Sequence, residues 1–95
     1  MSDVRSALKE IKTMPFPEKE VARHERAYEL RLLADDAILL LDSIVNADAG
    51  VTREQTEKLL NIRQQLSTLN PLLTGEAQVY FGKLYRLCDV AYDRA

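Results

Sequence analysis

Ninety-five residues, 46% of them apolar, are enough for one compact core and too few for two, so residues 1–95 are read as a single helical domain. Thirteen basic against fifteen acidic side chains leave a formal net charge of -2, which excludes nucleic-acid binding of the globally basic kind. The longest apolar run is the five residues Ala37 to Leu41, far short of the ~20 that a membrane span requires.

Ser2 is placed to cap a short first helix, about residues 2–13, in which Val4, Ala7, Leu8 and Ile11 share one side. Met14-Pro15-Phe16-Pro17 ends it: Pro15 lacks an amide donor and turns Met14 away from helical angles, while Pro17 suits the first turn of the next helix. From Pro17 to Ala47 neither glycine nor proline intervenes, and Leu30, Leu33, Ala34, Ala37, Leu40, Leu41 and Ile44 recur at three-four spacing. The expectation is one unbroken second helix over 17–47, about 45 Å long. Its first half, Glu18 to Arg31, is densely charged, whereas Leu32 to Val45 is apolar around most of its circumference and is expected to be central.

Asp48-Ala49-Gly50 stops that helix, and Thr52 with Gln55 forms a capping box for a third over 52–70, whose seam is Leu59, Ile62, Leu66 and Leu69. Asn70-Pro71 terminates it. A fourth helix over 75–93 opens at Thr74-Gly75-Glu76, with Glu76 favourable at the positive helix end, and repeats Ala77, Phe81, Leu84, Cys88 and Ala91. The pattern predicts an all-α, antiparallel three- to four-helix bundle with one long central helix and a short N-terminal one.

Helices three and four, roughly 28 Å each, would leave on the order of 17 Å of the second helix overhanging. The proline corner would fold the first helix back along that charged half, and a two-helix end has little capacity to seal an apolar face alone. A homodimer, or another protein partner, is therefore expected to cover it.

Arg5, Lys9 and Lys12 on the first helix and Lys19, Arg23 and Arg26 on the second each form a basic stripe, and the corner would join them into a positive ridge extended by Arg31. Seven basic and six acidic side chains fall within residues 1–31, so the ridge is interleaved with carboxylates. Tyr85 and Tyr92, seven apart beside the Phe81–Cys88 seam, suit a core edge or a protein interface. His24 invites comparison with helical phosphotransfer domains, but Ala27 and Tyr28 stand where their lysine and glycine belong.

Glu29 and Asp36 sit seven apart, roughly 10 Å along a helix and too far to share one metal ion. Neither a metal nor a cofactor is expected. Cys88, the single cysteine, reads as a buried thiol suited to a reducing compartment, and the N-terminus lacks the basic-then-apolar order of a secretory signal, so the expected localisation is cytoplasmic. The resulting expectation is no enzyme but a small regulatory, adaptor or inhibitor protein of the immunity type. It would self-associate as a dimer and bind a protein partner through Lys19, Arg23, Arg26, Arg31, Tyr85 and Tyr92, without membrane or nucleic-acid binding. The alternative is a nucleotide-handling protein, a phosphohydrolase or a sequestering binder, that uses the basic ridge.

Overall fold

The structure, a computed structural model, describes residues 2–47 and 50–94, apart from the side chain of Ser2. The described chain is helical: α1 Ser2–Thr13, α2 Glu18–Ala22, α3 Ala27–Val45, α4 Arg53–Leu69 and α5 Gly75–Arg94, with a 3-10 turn Asn70–Leu72 between the last two. The ends of α1, α4 and α5 lie within one residue of those read from periodicity and caps. The capping box is present: Thr52 Oγ1 accepts from the Gln55 amide at 3.1 Å, and Gln55 Oε1 accepts from the Thr52 amide at 3.0 Å. Asp48 and Ala49 of the expected stop, and the capping side chain of Ser2, lie outside what is described. Gly50 has φ +86°, as a glycine stop requires.

The expected single helix over 17–47 is corrected by a break at residues 23–26 between α2 and α3. Helical phase explains it. Counting back from Leu30 by four, seven and eleven positions reaches Arg26, Arg23 and Lys19, so a straight helix would carry three cations along its buried seam. It would also turn Val21, nine positions from Leu30, to the opposite side. Burying unpaired cations costs several kcal/mol each. The turn resets the phase, so that Val21 is fully buried while Lys19, Arg23 and Arg26 face solvent. Local bonds hold it: the His24 amide donates to Val21 O at 3.0 Å, the Ala27 amide to His24 O at 3.1 Å, and the Arg26 amide to His24 Nδ1 at 3.0 Å.

The break also removes the overhang. With α3, α4 and α5 at 19, 17 and 20 residues, no rod outreaches its neighbours, and the described residues extend 41 Å at most. Nor does α1 fold along the charged half. It packs on α3 and α5, and Val4, Leu8 and Ile11 are at most 3% exposed in a single copy. The sealing surface is thus supplied internally, chiefly by α5, whose Phe81, Leu84 and Cys88 are fully buried. α1 runs opposite to α5, with Asp3 meeting Arg94 at 2.6 Å and Glu10 meeting Lys83 at 3.0 Å.

Two long-range contacts fix the remaining pieces. The proline corner presents Phe16 edge-on to Tyr80 and Phe81, with ring centroids 5.3 and 6.0 Å away, an arrangement favoured by the ring quadrupoles. Glu20 of α2 reaches the start of α5, where its carboxylate accepts from the amides of Glu76 at 3.0 Å and Ala77 at 2.7 Å. A carboxylate satisfying two free amides at a positive helix end is doubly favourable. Gly75 makes this approach possible: its φ is +60°, and a Cβ there would lie 2.7 Å from Glu20 Oε1.

Candidate functional site

α3 carries apolar side chains on both sides, and only one side is covered. Leu30, Leu33, Ala34, Ala37, Leu41 and Ile44 are buried. On the opposite side Tyr28, Leu32 and Leu39, spaced by four and seven, stand 76%, 45% and 65% exposed, on one stripe about 16 Å long. Only Leu72, Val79 and Val90 are comparably exposed large apolar residues among those described, so half of this surface is gathered on one stripe. Beside it a cleft of about 500 Å³ runs between α3 and α4, lined among others by Asp36, Leu39, Leu40 and Ile62.

The charge bordering the stripe is mostly acidic, since Lys58 across the cleft is paired with Glu54 at 3.3 Å and Arg26 lies only at its head. Asp35 falls between Leu32 and Leu39, Asp36 lies on the α4 side, and Glu29 follows Tyr28; none of the three enters an ion pair among the described residues. By contrast Asp42 is bound by Lys12 at 2.5 Å, and Arg31, the only cation within α3, is drawn to Glu18 at 2.9 Å. Asp35 also acts on Tyr80, whose hydroxyl pKa is raised by desolvation and then by that carboxylate.

The basic ridge does not assemble as one stripe. Lys19 lies on α2, Arg23 and Arg26 in the turn and Arg31 on α3, all exposed. Two members of the α1 stripe turn toward α3 instead: Arg5 donates to Asn46 Oδ1 at 3.2 Å and to the carbonyl of Val45, where a cation suits the negative helix end, and Lys12 binds Asp42, while Lys9 is exposed. Tyr85 and Tyr92 are half-buried against the core. The Arg63 guanidinium, paired with Asp89 at 2.6 Å, lies 4.8 Å above the Tyr92 ring. His24 is occupied by its turn, with Nδ1 accepting from the Arg26 amide.

A second groove, about 310 Å³, runs between α1 and α5 over Val4, Ile11 and Leu87. Its α1 bank carries Asp3 and Glu10 and its α5 bank Lys83 and Arg86, the two banks bridged by the Glu10–Lys83 pair. Cys88 is fully buried, and desolvation pushes its thiol up to about 12. Among the described residues no three or more His, Cys, Asp and Glu side chains gather where they could hold a metal ion, and no helix is long and apolar enough to cross a membrane.

The sequence does not single out the α3 stripe, because apolar residues around a helix imply burial all round. Only the packing shows which side the other helices cover. The chain matches no protein-family model, and comparison with curated proteins and with solved structures gives no match.

Proposed function

We propose that this chain is a non-enzymatic helical bundle that acts by binding another protein, as a regulatory, adaptor or inhibitor module, through the outer face of α3. The observation that supports this is the Tyr28–Leu32–Leu39 stripe, 45 to 76% exposed on a well-packed helix. Surface apolar residues scattered singly need no explanation, but three aligned on one helix face, bordered by charge, mark an interaction surface. Fully burying one such side chain is worth ~1.5–3 kcal/mol, so natural docking here would be dominated by these three positions. Lys19, Arg23 and Arg26 lie before the stripe rather than along it, and Tyr85 and Tyr92, beside Arg63 of α4, form a separate candidate surface. A photo-crosslinker at position 39, introduced in the native host, is expected to capture a defined protein. Leu32→Ser with Leu39→Ser should abolish its co-purification while leaving the melting temperature within a few degrees. A folded double variant that retains the partner would overturn the reading.

Self-association is a second part of the proposal, and the α1/α5 groove favours it. A two-fold axis parallel to the helices would set the acidic bank of each copy against the basic bank of the other, Glu10 opposite Lys83, over a shared apolar floor. The face is small, since α1 has 12 residues and two helices ~10 Å apart offer on the order of 400 Å². The dimer would therefore be weak and concentration-dependent. Sedimentation should show a species heavier than 10.8 kDa at high concentration, lost in Lys83→Glu and regained in Glu10→Lys/Lys83→Glu. Nucleotide handling draws less support, because the ridge it would use is divided among α2, the turn and α3. A thermal shift with nucleotide and magnesium would revive it.

A further inference from the structure

We infer that the occupant of the α3 outer face is a cationic amphipathic helix of a partner protein, and not a second copy of this chain. The inference rests on the α3 reading above and adds the chemistry of the partner. The face is a straight helical stripe beside the α3–α4 cleft, with Leu39 and Leu40 on its wall. A helix laid along such a groove presents its own apolar residues at spacings of three, four and seven, matching Tyr28, Leu32 and Leu39.

Charge selects among the possible occupants. Glu29, Asp35 and Asp36 border the stripe without an ion-pair partner among the described residues; of the cations nearby, Arg31 is held by Glu18 and Lys58, which lines the same cleft, by Glu54, while Arg26 stands only at the head of the stripe beside Glu29. The partner's flanks must therefore carry lysine or arginine, since acidic flanks would meet carboxylates. The same residues disfavour self-pairing. If two copies ran parallel across this face, Asp35 would oppose Asp35. If they ran antiparallel with Tyr28 on Leu39, the axis would fall between residues 33 and 34. Asp35 would then lie on the partner copy's Leu32, and both Asp36 carboxylates would line one flank. Either arrangement buries carboxylates against like charge or leucine, which is unfavourable. An anionic membrane or nucleic acid is repelled by the same carboxylates.

The test uses the full chain, isotopically labelled, titrated with three designed 18-residue helical peptides that share one leucine stripe and carry lysine, glutamate or serine on their flanks. Unlabelled full chain serves as a fourth titrant. The lysine peptide should shift amide resonances of residues 28–43 and bind about tenfold more weakly to the Asp35→Lys/Asp36→Lys variant, which should instead gain affinity for the glutamate peptide. Added salt should weaken the lysine complex. Binding of the glutamate or serine peptide to these residues as tightly as the lysine peptide would overturn the cationic partner while leaving the docking face standing. Shifts of residues 28–43 with unlabelled chain would make the occupant a second copy and overturn the inference. No perturbation of residues 28–43 by any titrant would overturn both this inference and the docking face.

Discussion

The two sides of α3 carry similar side chains and meet different fates. Leu30 and Leu41 on the inner side are fully buried, whereas Leu32 and Leu39 on the outer side are exposed to solvent. Composition alone cannot distinguish them, because a leucine's tendency to leave water is the same on either side. What distinguishes them is the number of surfaces available. The neighbours of α3 are α1, α2, α4 and α5, and together they close over one side of it. Apolar residues on the uncovered side do not stabilise the isolated fold, and they form the surface through which the proposed partner binds.

Replacing Leu30 or Leu41 by alanine should cost ~2–5 kcal/mol in urea unfolding, since each leaves a cavity in a closed core. The matching changes Leu32→Ala and Leu39→Ala should stay within about 0.5 kcal/mol. A loss at Leu39 as large as at Leu41 would show that the outer side is covered in the monomer.

A second cut through the comparison concerns the turn that sets the phase of α3. Arg23→Leu with Arg26→Leu removes two of the three cations from the seam of a straight helix, leaving only Lys19 at its far end, and it should extend helix across residues 23–26. Carbon chemical shifts of residues 22–27 would move to helical values, and Val21 would lose its protection. Unchanged shifts would mean that the His24 turn and the Glu20 cap, rather than the charges, maintain the break.

The Glu20 cap is itself a smaller test. Glu20→Ala should destabilise by ~1 kcal/mol through loss of two acceptors at the start of α5. Gly75→Ala should cost at least as much, because φ is +60° and the added methyl meets Glu20. Equal stability of either variant and the parent in thermal unfolding would remove the cap from the account.

The mildest perturbation is chemical. Cys88, fully buried with its thiol pushed up to about 12, should react with a disulfide reagent only as fast as the fold opens, at neutral pH and up to roughly pH 9. The same labelling rate should rise in Leu41→Ala and stay level in Leu39→Ala, which repeats the inner–outer contrast with a reporter on a different helix.

Much of this architecture was legible in residue order. Thr52 and Gln55 mark the start of α4, the proline corner ends α1, and Gly75 opens α5, because capping and forbidden backbone angles are decided within a few residues. The basic stripe Lys19–Arg23–Arg26 was legible too, but it was read as a binding ridge. Its alignment with the Leu30 seam was the sign that the helix could not continue straight, and only the burial of Val21 makes that visible.

By itself, then, the order of residues determined that the chain is helical, where three of the four expected helices begin and end, and which side chains form the buried seams. Those properties depend on local bonds and on apolar period. The break at residues 23–26, the capture of α5 by Glu20, the turning of Arg5 and Lys12 toward α3, and the choice of which side of α3 stays bare were decided by tertiary structure. Each depends on which surfaces meet, and a helix has no local means of knowing how many neighbours will pack against it.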